Sequence, residues 1–160
     1  MGDDRIAHNR LHRLLPAGIP LGDQAWMRRH RVIVALLWAH VVALPVYSWW
    51  EGHGITHGLF EVLAIAACAL AATRGGVQHR RLSGLAAVIG LLLSSATLVH
   101  LSGGLIEMHF HFFVMVGVIT LYQEWLTFLA AIVFVALHHG VIGALAPRDV
   151  FNHESAWASP

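Results

Sequence analysis

His100–Phe113 reads HLSGGLIEMHFHFF, three histidines and a carboxylate set into sequence that is otherwise apolar enough for a bilayer. A charged side chain in hydrocarbon costs on the order of 3 kcal/mol even on lenient insertion scales. Ionisable residues there face a bundle interior, find partners and mark a site. Gly103 and Gly104 form a tight link between two apolar runs, and the rest of the chain is organised around this junction.

Composition points the same way: 57% of the 160 residues are hydrophobic and 12% charged, with a mean hydropathy of +0.64. These values lie far from those of a soluble domain and define a membrane protein. All ten basic residues are arginine, and no basic tract is built for nucleic acid. The lone Cys68 falls inside an apolar run, so no disulfide framework exists and the thiol reads as a small core residue.

Outward from the junction, five apolar runs approach the roughly 20 residues that a helix needs to cross about 30 Å of hydrocarbon. They are 32–50, 55–73, 82–101, 105–121 and 125–145, with Pro45 expected to kink the first. Long apolar runs without alternation exclude a barrel, and backbone groups in lipid must be satisfied internally, so the spans are predicted helices. Short links at 51–54, 74–81, 102–104 and 122–124 make neighbours antiparallel. The expected fold is an all-α integral membrane bundle of five transmembrane helices spanning 28–146. A cytoplasmic leader occupies 1–27, and 147–160 is an external tail or the start of a link to a further span. The leader lacks a signal-peptide core near Met1, so the first span is expected to be retained.

Orientation follows from the arginines. Arg5, Arg10, Arg13, Arg28, Arg29, Arg31, Arg74, Arg80 and Arg81 fall on one side of an alternating bundle, and Arg148 alone falls on the other. The positive-inside rule therefore places the N-terminus in the cytoplasm of a multi-pass protein of the bacterial inner membrane.

With that topology, nine of the 13 histidines converge on or near the outer half. His53 and His57 open the second span, His100 closes the third, and Glu107, His109 and His111 open the fourth. His138 and His139 lie near the outer end of the fifth, and His153 follows it. His40 and Glu61 lie deeper. His8, His12, His30 and His79 fall on the cytoplasmic side and read as ordinary polar residues. Residues three or four apart share a helix face, which groups His53, His57 and Glu61 as an i, i+4, i+8 series and Glu107 with His111 while turning His109 elsewhere.

A single histidine at this depth is an interfacial residue. A cluster of them with two carboxylates and almost no compensating cations is a candidate metal centre, since neutral imidazole is the commonest metal-binding side chain. The candidate set is His53, His57, Glu61, His100, Glu107, His109, His111, His138, His139 and His153. His57, His100, His111, His138 and His139 are expected nearest the centre, with Glu107 as a ligand or as the group orienting an imidazole. Copper or iron is favoured ahead of zinc, and haem is the alternative. The tryptophans and phenylalanines read as an aromatic belt and packing residues. Gly54 and Gly58, spaced small-xxx-small, permit close helix packing.

Leu98–Trp125 (LVHLSGGLIEMHFHFFVMVGVITLYQEW), Phe134–Leu145 (FVALHHGVIGAL) and Val150–His153 (VFNH) also carry a resemblance. Together they resemble the histidine-rich membrane input region of some bacterial diguanylate cyclases and chemoreceptor-type signalling proteins. That resemblance implies sensing rather than transport, with the signal passed to a cytoplasmic output domain in a longer parent chain; a metal or haem site would make oxygen, redox state or metal the input. Partners expected on this reading are the lipid bilayer, such an output domain and a second copy in a homodimer. The competing class is a small membrane metalloenzyme, a metal-dependent oxidoreductase, or an electron-transfer protein. No quinone or substrate motif supports that class, so the sensor reading leads.

Overall fold

A computed structural model of the chain describes residues 21–145. Arg5, Arg10, Arg13, Arg148, His8, His12, His153 and the tail expected over 147–160 lie outside the described residues. The elements are α1 (Asp23–Trp50), α2 (Ile55–Glu61), α3 (Leu63–Gly75), α4 (Arg80–Leu101), α5 (Ile106–Ile119) and α6 (Trp125–Leu137). A 3-10 turn, Thr120–Tyr122, extends α5, and a π-helical turn, His138–Ile142, leads from α6 into the short α7 (Gly143–Leu145). The described residues hold no strand.

Every predicted apolar run is helical, with three differences. Helix α1 begins nine residues before the expected start of the first span and runs through Pro45 without a break. The second run divides at Val62 into α2 and α3, bent by 47°. The fourth run yields 14 α-helical and 3 3-10 residues, Ile106–Tyr122, about 25 Å at 1.5 Å per residue and short of a full crossing. Helices α1, α4 and Trp125–Leu145 are long and apolar enough to cross a membrane, and the bent α2–α3 pair makes a fourth when counted as one broken span.

Glycine chemistry ends the helices at the histidine-rich end. At the α4 terminus Gly103 N–H donates to His100 O at 3.0 Å and Gly104 N–H to Val99 O at 2.9 Å. Gly103 stands at φ +67°, and the paired bonds are a Schellman cap, which satisfies carbonyls the helix leaves orphaned. The α1 terminus repeats it: Gly52 N–H donates to Trp49 O at 3.1 Å and His53 N–H to Ser48 O at 3.0 Å, with Gly52 at φ +84°.

Helix α4 lies at the centre, packed on α1, α3, α5 and α6. Lipid tails are as apolar as leucine, so close packing through small residues holds such helices together. Ala69 and Ala72 of α3 and Ala87 of α4 are fully buried. A Cβ on Gly90 would lie 2.8 Å from Leu37 Cδ2 and 3.0 Å from Cys68 Cβ. Cys68, expected in the core, is half-buried between helices, beside Gly90.

Gly58 seats α2 on α1. A Cβ there would meet Ser48 Cβ at 2.6 Å and Pro45 Cα at 2.7 Å. Backbone cannot yield, so Gly58→Ala is expected to destabilise by about 1–3 kcal/mol through overpacking. Gly117→Ala, whose Cβ meets nothing within 4 Å, is the control. Thermal unfolding in detergent checks both, and equal midpoints would mean that the α1–α2 contact is not made.

Candidate metal-binding region

The antiparallel chain course gathers the C-terminal ends of α1 and α4, the N-terminal ends of α2 and α5, and the His138–Ile142 turn at one end. The arginines of the described residues flank the opposite end. At the histidine-rich end the candidate ligands form three groups rather than one.

The first group joins α2 to α4. His57 sits in the first turn of α2, Glu61 one turn on, and His100 in the last turn of α4. One ligand atom from each lies within 4.8 Å of the other two, and among the described residues this is the one such set of three. His57 Nε2 stands 3.9 Å from Glu61 Oε1, with the side chains 42% and 33% exposed. Metal bonds of about 2.0–2.2 Å put ligand atoms roughly 3–3.5 Å apart, so small rotations close the set. His53 borders it, 5.7 Å from His57 between ring centroids, and its Nε2–H donates to Leu101 O at 3.1 Å. That bond fastens the α1–α2 link to the end of α4.

The second group lies between α1, α4 and α5. His40 and His111 approach through their Nε2 atoms at 3.0 Å. His40 Nδ1–H donates to Leu36 O at 2.8 Å, and His111 Nδ1 is 2.8 Å from Ser95 Oγ. His40 was not among the candidate ligands. Its partner depends on how α1 and α5 register against each other, and no spacing within α1 reports that.

The third group joins α5 to α6. Ring centroids of His109 and His139 are 5.4 Å apart, and those of His138 and His139 5.1 Å. Phe112 packs 5.0 Å from His138 and 5.3 Å from His139, and Phe134 stacks on His138 within 8° of parallel. His138 is 7% exposed, and its Nδ1 has no hydrogen-bond partner. Glu107 is exposed in the first turn of α5 and stands outside the three-residue set. As expected, His109 turns away from His111. His153 lies outside the described residues.

At the arginine end His30 is more than the ordinary polar residue expected there: it is 3% exposed. Its Nε2 is 3.0 Å from Ala72 O, a group that only accepts, so Nε2 carries the proton and Tyr122 O–H donates to Nδ1 at 2.7 Å. Trp26 stacks on His30 at 4.5 Å. The Arg80 guanidinium lies 5.3 Å above the Trp26 ring. Arg80 Nε–H donates to Glu124 Oε1 at 2.8 Å and Nη1–H to Leu21 O at 2.7 Å. This joint ties α1, α3, α4 and the α5–α6 link together.

The described residues thus form helices long and apolar enough for a membrane, with imidazole groups at one end and a buried polar joint at the other. Over 157 residues the chain is 35% identical to the transducer protein Htr8 of Halobacterium salinarum. The alignment takes in 91% of this chain and 24% of that protein, so the chain spans about a quarter of its relative's length. No family model matches the chain, and no solved structure matches it.

Proposed function

We propose that the chain is the membrane-embedded sensory input region of a chemoreceptor-type transducer, with His57, Glu61 and His100 holding a transition-metal ion at the outer end. The observation that carries the reading is a two-histidine, one-carboxylate set in a chain that aligns over nine-tenths of its length with a transducer. Three protein ligands leave coordination positions open, and this donor set suits non-haem Fe(II), with copper and then zinc as the other candidates. When bound, iron or copper would supply open positions and a redox couple, the means of reading oxygen or redox state, whereas zinc would supply open positions alone. The Arg28–Arg31 and Arg74–Arg81 clusters support a cytoplasmic position for the joint under the positive-inside rule. An output domain in a longer parent chain would take the signal from there.

The residues supply the coupling. His57 and Glu61 ride on α2, seated on α1 through Gly58, while His100 rides on central α4, whose other end carries Arg80. An ion that binds one spacing of α2 and α4 better than another shifts their populations by its differential affinity. The shift reaches the joint through α4, which holds it through Arg80.

Spin labels at Gln24→Cys and Gln78→Cys, both exposed at the arginine end, in a Cys68→Ala background, test this. Saturation with Fe(II) under argon is expected to change the label-to-label distance distribution. A distribution unmoved between empty and saturated protein refutes the sensor reading and favours the metalloenzyme or electron-transfer class. Orientation is checked with a membrane-impermeant thiol reagent on whole cells: Glu51→Cys is expected to react and Gln78→Cys to be protected.

A further inference from the structure

His40 and His111 face each other through Nε2 atoms 3.0 Å apart, and both rings are held from behind. The Leu36 carbonyl, 2.8 Å from His40 Nδ1, only accepts, so Nδ1 carries the proton and the neutral ring presents a lone pair at Nε2. Behind His111, Ser95 Oγ lies 2.8 Å from Nδ1 and also 3.2 Å from Leu91 O, the back-bond that a helical serine makes. When Ser95 gives its single proton to Leu91, His111 Nδ1–H donates to Oγ and His111 Nε2 becomes a second lone pair aimed at the first. Two facing lone pairs at this distance hold together only around a cation.

From this geometry we infer that His40 and His111 form a second, interior site, taking a late first-row transition-metal ion between their Nε2 atoms. The spacing fits. Ligands about 2.0–2.1 Å from one ion at right or tetrahedral angles stand roughly 2.9–3.4 Å apart, whereas axial ligands on opposite sides of a haem iron would stand about 4 Å apart. A carbonyl or polar group behind each imidazole is also how metal-bound histidines are oriented. Both donors are imidazole nitrogens, which suit zinc, copper, iron or nickel over magnesium or calcium. The same atoms also accommodate a direct hydrogen bond, with Ser95 donating to His111 Nδ1 and His111 Nε2–H donating to His40. Metal entry moves the His111 proton from Nε2 to Nδ1 and turns the Ser95 hydroxyl to Leu91, with no net loss of protons. The site goes beyond the outer set and does not depend on it, since it shares no residue with His57, Glu61 and His100.

The test uses the full chain in detergent with Co2+ as the probe, read by its visible absorption and by stoichiometry. The background is His57→Ala with His100→Ala, which removes the outer set. One Co2+ per chain is expected to remain bound there, with affinity falling at least 100-fold in His40→Gln or His111→Gln. Ser95→Ala, which keeps both ligands, is expected to weaken binding about 10–100-fold, the loss that follows removal of an orienting partner. No Co2+ in the background protein overturns the inference, as does unchanged affinity in the histidine variants. Should those variants fail to fold, Ser95→Ala decides, and undiminished affinity there overturns it. Failure of the outer site is a different result: wild-type protein would then bind a single Co2+ that His57→Ala leaves in place and His40→Gln removes.

Discussion

Fe(II) or Zn2+ bound at the outer set is expected to dissociate from His57→Ala and from His100→Ala at concentrations that saturate the wild type. Each histidine is one of only three donors, and the ligand atoms gather within 4.8 Å from two separate helices. Losing one leaves a two-ligand set open to solvent. The affinity loss should therefore exceed the 10–100-fold that follows removal of a group merely orienting a ligand. Glu61→Gln tests the carboxylate separately. It preserves size and an acceptor oxygen but removes the charge, so it should weaken the site while leaving the α2–α3 bend intact. His79→Ala, exposed at the far end, should bind as the wild type does. Isothermal titration with helix content as the folding control measures all four. Equal affinities in the His57, His100 and His79 variants would reduce the outer histidines to interfacial residues.

Stability should fall most for Trp26→Ala. The Trp26 side chain is fully buried, stacked 4.5 Å from His30 and 5.9 Å from Tyr122 beneath the Arg80 guanidinium. Truncation removes the indole on which the joint is stacked and opens a cavity, a change worth about 3–5 kcal/mol in well-packed cores. A midpoint drop of roughly 6–20 °C follows for a chain of this size. Trp50→Ala, at a position 80% exposed, should move the midpoint little, as surface substitutions do. Thermal unfolding in one detergent compares the two, and equal shifts would mean that the joint does not hold the arginine end closed.

Local chemistry written in the chain accounts for much of the architecture. Apolar runs of about 20 residues can satisfy their backbone in lipid only as helices, and every run is helical, although the second divides into two helices at Val62. Ser102-Gly103-Gly104 reads as a tight link because only glycine adopts the left-handed position of a Schellman cap at no steric cost. His57 with Glu61 was legible as one helix face because the spacing is intrahelical. So was the divergence of His109 from His111. The convergence of histidines on one end followed from span parity alone.

What tertiary structure decided is which histidine meets which. His100 joins His57 and Glu61, whereas His111 goes to His40, and His138 and His139 go to His109, because inter-helix register sets these pairs. Register depends on how deeply small residues let backbones approach, as at Gly58 against Pro45 and Gly90 against Leu37, and a period of 3.6 residues within one helix carries none of that information. His30 shows the same limit. By sequence it is a polar residue near an arginine cluster, and only the packing of α1 on α3 and the α5–α6 link encloses it between Trp26, Tyr122 and the Ala72 carbonyl.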